Sequence, residues 1–101
     1  MYGTWHILKQ VEWYNKLREK YKCSFVEMEY RERISYGPFR FRSFVIYDVY
    51  GRTNDGKIYI IEIGKVPRWK LEYLAGLDGH RGIRFFREEF RSKKSKFINK
   101  F

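Results

Sequence analysis

Apolar positions in this chain recur first every three or four residues and then every two. Over residues 4–21, TWHILKQVEWYNKLREKY, Ile7, Val11, Tyr14, Leu17 and Tyr21 keep the spacing of one helical face. Trp5 and Trp13 widen that face, and Thr4 is a candidate N-cap. Residues 23–34, CSFVEMEYRERI, then alternate, with Val26, Met28 and Tyr30 on one side and Glu27, Glu29 and Arg31 on the other, as in a half-buried strand. SYGPF at 35–39 breaks the pattern, and RFRSFVIYDVY at 40–50 is a second β-rich run. TNDG at 53–56 is a turn signal, and residues 57–63 form a third strand. Pro67 suits the first turn of a second helix, which carries Leu71, Leu74 and Leu77 at helical spacing. GLDGHRG closes that helix, IRFFR at 83–87 reads as a fourth strand, and residues 88–101 form a basic C-terminal helix or tail.

The expected order is therefore α-β-β-β-α-β. A strand–helix–strand crossover favours parallel pairing of the third and fourth strands, while the first three should form antiparallel hairpins. The fold class is α/β with a mixed α+β sheet. At 101 residues the chain is long enough for one modest core, so residues 1–101 are taken as a single domain.

One residue does not fit the third strand. In GKIYIIEIGKVPRWK, Glu62 lies among apolar neighbours, where a carboxylate is costly to desolvate unless something pairs with it. Asp48 lies on the opposite arm of the same hairpin. With a three-residue loop, Asn54-Asp55-Gly56, Asp48 stands directly across from Glu62. With a two-residue Asp55-Gly56 turn, Asp48 stands across from Ile63 and the acids face opposite ways. Like charges opposite each other on a sheet repel, and a divalent cation removes the penalty. Mg²⁺ is a hard ion that one or two carboxylates can hold, with water and phosphate completing its sphere.

Charge bears on the same chemistry. Lys and Arg number 22 against 12 Asp and Glu, a formal net charge of +10, and a balance of that kind suits a polyanion partner. Residues 81–101 alone hold eight of the cations, Arg81, Arg84, Arg87, Arg91, Lys93, Lys94, Lys96 and Lys100, against two acids. Arg40 and Arg42 form a second patch just before Asp48. Both patches are interleaved with aromatics, in FRFRSF and RFFREEF, although most aromatic side chains in a chain with 21% aromatic content serve the core. The longest apolar run, IYII, is far too short to span a membrane, and MYGTWHILKQ lacks the apolar core of a signal peptide. The single cysteine, Cys23, excludes an intramolecular disulfide and a thiolate zinc site, and is read as a strand residue in a reducing, cytoplasmic protein.

Strand Asp48, turn NDGK, strand IYIIEIG and the helix that follows together resemble the PD-(D/E)xK, or restriction-endonuclease-like, nucleases, a likeness that covers most of residues 4–87. The resemblance implies a restriction-endonuclease-like core, metal-dependent hydrolysis of DNA with junction or branched DNA among the candidate substrates, Mg²⁺ or Mn²⁺ bound by Asp48 and Glu62, and a lysine that positions or activates the attacking water. The family places that lysine two residues beyond the Glu, where this chain has Gly64. Lys65 comes next but points to the other face unless the strand bulges or ends. Lys70, about one turn into the following helix, is favoured slightly over it. Glu12 on the first helix is a candidate extra acid, as some relatives place one there. If the lysine function is lost, the chain is instead an inactive nucleic-acid-binding relative, and a protein–protein module is a further alternative. Glu27 and Glu29 are expected to meet Arg31 or Arg42, and His80 is read as a loop residue. The expected partners are nucleic acid, DNA above all, and a second copy of the chain, because a twofold dimer is the simplest way for so small a domain to cut two strands. No membrane partner is expected.

Overall fold

The computed structural model describes residues 2–34 and 44–89. The elements are α1 (Tyr2–Glu19), β1 (Phe25–Arg33), β2 (Phe44–Arg52), β3 (Ile58–Ile63), α2 (Arg68–Leu77) and β4 (Ile83–Glu88). They form an α+β domain around one mixed sheet of order β1-β2-β3-β4. β1, β2 and β3 pair antiparallel, and the α2 crossover brings β4 parallel to β3, with Ile58 opposite Ile83 and Ile63 opposite Glu88. Among the described residues, no helix is long and apolar enough to cross a membrane.

Alternation along β3 divides the core between the two helices. Tyr59, Ile61 and Ile63 join Trp13 and Leu17 of α1, with Val26 and Val49. Ile60 joins Leu74 of α2, with Val45, Tyr47 and Tyr50. One helix thus covers each face. Pro67 caps α2 with extended backbone (φ −59°, ψ 147°), the geometry proline presets. Gly51 lets α1 close onto the sheet: a Cβ there would lie 2.8 Å from the Cys23 sulfur and 2.9 Å from Leu17 Cδ1. Cys23 is buried in the connection before β1, not in a strand, and the helix begins at Tyr2, so Thr4 lies inside it.

The inward face of α1 differs from the hydropathy pattern. Ile7, Leu8 and Val11 are exposed, while Gln10, Trp13 and Leu17 are buried. The reason is local: the N-terminal half of α1 lies over polar groups of the sheet and presents His6 and Gln10 to them.

Those polar groups sit at a break in the sheet. β1 and β2 pair from Phe25↔Arg52 to Met28↔Val49 and again from Tyr30↔Tyr47 to Arg33↔Phe44, stepping over Glu29 and Asp48. Glu29 has φ +53°, a left-handed conformation that is rare for a non-glycine residue within a strand. Side-chain direction changes across the break, so Val49 packs toward α1 whereas Val45 and Tyr47 pack toward α2.

Candidate active site

The β2–β3 turn decides where the two acids stand. Thr53 N–H donates to Lys57 O (2.9 Å), Lys57 N–H donates to Thr53 Oγ1 (2.9 Å), and Gly56 takes φ +93°. Asn54, Asp55 and Gly56 thus form a three-residue loop. The register runs from Arg52↔Ile58 to Val49↔Ile61, and its next position sets Asp48 against Glu62.

At that position carboxylates replace the backbone ladder. Asp48 N–H donates to Glu62 Oε2 (3.2 Å), and Ile63 N–H donates to Asp48 Oδ2 (2.7 Å). Gln10 Nε2 donates to the Asp48 carbonyl (3.1 Å) and also to Glu29 Oε2 (2.9 Å). His6 Nε2 lies 3.3 Å from Asp48 Oδ1. Asp48 is therefore held through its N–H, its carbonyl and both carboxylate oxygens, by α1 on one side and β3 on the other.

Glu62 meets a cation from α2. Lys70 Nζ lies 2.9 Å from Glu62 Oε1, with side-chain exposures of 13% and 4%. The same ammonium donates to the Ile46 carbonyl. Burial pushes the Glu62 carboxyl up to about 7; the hydrogen bond and charge of Lys70 oppose that shift, and the Asp48 charge adds to it. Burial therefore outweighs the Lys70 ammonium in setting the protonation of Glu62.

Gly64 has φ +87° and donates its N–H to the Glu88 carbonyl (2.7 Å), so the chain leaves β3 at the point where the resemblance expects a lysine. An L side chain would be strained there. Lys65 follows the turn and is exposed. Helix α2 is what delivers a lysine to the acids.

Glu12 is exposed and paired with Lys9 Nζ (3.0 Å), on a part of α1 distinct from the His6–Gln10 face. Glu29 accepts from Gln10, and Arg42, one of its two expected partners, lies outside the described residues. Arg81 and Arg84 are exposed on and beside the loop before β4, and Arg87 pairs with Glu89 (3.3 Å). Arg40, Arg42, Arg91, Lys93, Lys94, Lys96 and Lys100 lie outside the described residues. His6, Gln10 and Glu29 escape a hydropathy reading. The one sequence signal for His6 and Gln10 is their spacing with Trp13 and Leu17, which is as helical as that of the apolar set.

Comparison with family models, curated proteins and solved structures finds no match. What the site can do chemically is therefore read from its own donors. Two adjacent carboxylates offer hard oxygen ligands. Among the described residues each of their four oxygens has a partner, while each oxygen has two acceptor positions, which leaves acceptor capacity for a cation. Among the described residues, no group of three or more His, Cys, Asp or Glu side chains could hold a metal ion, so a closed protein cage is not formed there. The donor set fits a dication that takes most of its sphere from water and phosphate.

Proposed function

We propose that the chain is a metal-dependent nuclease that hydrolyses DNA phosphodiesters, a small divergent member of the restriction-endonuclease-like superfamily that works as a homodimer. The observation that carries this reading is the convergence of Asp48, Glu62 and Lys70 from three elements, with Lys70 Nζ 2.9 Å from Glu62 Oε1 and Asp48 directly across the hairpin. The order α-β-β-β-α-β and a formal charge of +10 support it.

Asp48 and Glu62 would hold Mg²⁺ or Mn²⁺, which when bound supplies a Lewis acid for the phosphate and acidifies a water. The remaining work belongs to the chain. Lys70 is fixed by Glu62 and the Ile46 carbonyl, which leaves a third ammonium hydrogen to orient the attacking water or a phosphate oxygen. His6, Gln10 and Ile63 hold Asp48 so that its carboxylate need not reorganise on binding. Arg81 and Arg84 offer sequence-independent contacts to the backbone of the polyanion. A twofold dimer would present two such sites to two strands.

The test is Mg²⁺- or Mn²⁺-dependent DNA cleavage with Asp48→Ala alongside: cleavage should vanish in the variant while salt-sensitive binding persists. A second reading, a binding-only relative, is favoured by the way Lys70 already matches the Glu62 charge; it requires salt-sensitive binding without cleavage by the unaltered protein.

A further inference from the structure

Helix α1 covers the sheet only as far as the acids. Its C-terminal half packs through Trp13 and Leu17 on Val26 and Val49, and His6, near its N-terminus, reaches Asp48. Beyond the break at Glu29 and Asp48, the same side of the β1–β2 hairpin carries Arg31, Arg33, Phe44 and Ile46. Arg31 pairs with Ile46 and Arg33 with Phe44, so the four side chains share one patch. Phe44 and Ile46 are 43% and 41% exposed, whereas Val45 on the opposite side is buried. The guanidinium carbons of Arg31 and Arg33 lie 5.0 and 5.9 Å from the Phe44 ring centre. The patch adjoins the acid pair, since the carbonyl of Ile46 accepts from Lys70.

A part-exposed aromatic ring with two guanidinium groups within about 6 Å of its centre, beside a site that reads as phosphodiester chemistry, has a defined complement. Arg31 and Arg33 favour phosphates, and the ring favours the face of a base. In an uninterrupted duplex the base faces are occupied by their neighbours, so only an unpaired nucleotide can offer one to Phe44. We propose that the Arg31–Arg33–Phe44–Ile46 face is a stacking platform for an unpaired nucleotide, which makes single-stranded or branched nucleic acid the substrate class. The proposal rests on the nuclease reading of the adjoining site and names what that site takes. Charge complementarity, within a chain of net charge +10, is what selects a nucleic-acid strand over an apolar protein surface as the occupant.

The test is fluorescence anisotropy with a labelled single strand and a blunt, fully paired duplex, in chelator so that no cleavage intervenes. Phe44→Ala should weaken single-strand binding about tenfold or more, as expected for the loss of one base–aromatic stack, and change duplex binding less than about twofold. Phe44→Trp should retain single-strand affinity. Arg31→Gln with Arg33→Gln should lower the salt slope by roughly 1.4, for two single-strand phosphates. Circular dichroism of each variant reports on folding, and Phe44→Trp keeps the test valid if the alanine variant unfolds. If Phe44→Ala leaves single-strand affinity unchanged, or weakens both ligands equally, the platform is overturned while the nuclease reading stands. A change of oligomeric state with unchanged binding would assign the face to a second copy and overturn it also. If the unaltered protein binds neither ligand at low salt, both readings fall.

Discussion

Glu62 makes the stability of this protein depend on pH in an unusual direction. In the unfolded chain its carboxyl titrates near 4.5, and in the fold burial pushes it up to about 7. Below both values each state holds the proton. As pH rises from 4.5, the unfolded chain gives up its proton while the folded chain keeps it. The folded state therefore loses relative stability until about pH 7, and above that the full penalty remains. At 1.36 kcal/mol per pH unit, the interval amounts to about 3 kcal/mol, and with the side chain only 4% exposed there is little solvent screening to reduce it. Glu62→Gln removes the titration. Urea unfolding followed by tryptophan fluorescence, run on both proteins from pH 4 to 8.5, isolates the term as a difference. Relative to the variant, the unaltered protein should lose about 3 kcal/mol between pH 4.5 and 7.5, a midpoint displacement of about 1 to 3 M urea. The unpaired Lys70 of the variant adds a constant offset across this range and does not alter the slope. Parallel curves would refute the reasoning. A difference that grows in the opposite sense would mean that Lys70 outweighs burial and holds Glu62 ionised.

Two other substitutions probe the same construction. Lys70→Met keeps the aliphatic stem but leaves Glu62 without its cation. It should cost about 3 kcal/mol in urea unfolding at pH 8 and clearly less at pH 5, where Glu62 takes up a proton; an equal cost at both would contradict the pairing. Gly51→Ala places a methyl group against Leu17 and Cys23, both buried, and should destabilise by about 1–3 kcal/mol, read as a lowered thermal midpoint; an unchanged midpoint would mean that α1 yields freely.

Much of the sheet was legible in the sequence because turn chemistry is local. Asn54-Asp55-Gly56 placed a turn in the sequence and narrowed the register to two choices, of which the three-residue loop with Gly56 at φ +93° sets Asp48 against Glu62. The parallel pairing of β3 and β4 follows from a helix between two strands. The helix face was not legible. Hydropathy places Ile7 and Val11 inward, but α1 docks over carboxylates, so Gln10 is buried at 5% exposure while Ile7 stays 59% exposed. A polar site inverts the rule that identifies a buried face. Nor was the break at Glu29 legible, because a left-handed glutamate carries no turn signature of its own, yet it is at this break that His6 and Gln10 reach Asp48. The lysine is an intermediate case. Gly64 leaves the expected position empty in the sequence, but only the course of the chain, turning at φ +87° and returning through α2, puts Lys70 on Glu62.

The most direct measurement is cleavage of end-labelled single-stranded, duplex, flap and four-way-junction DNA in Mg²⁺ or Mn²⁺, with the Glu62→Gln protein run beside the unaltered one. Metal-dependent cleavage by the unaltered protein is expected, strongest on substrates with unpaired nucleotides and lost in the variant. Cleavage that survives Glu62→Gln, or that proceeds equally well in chelator, would contradict the assignment of Asp48 and Glu62 as the metal-holding pair.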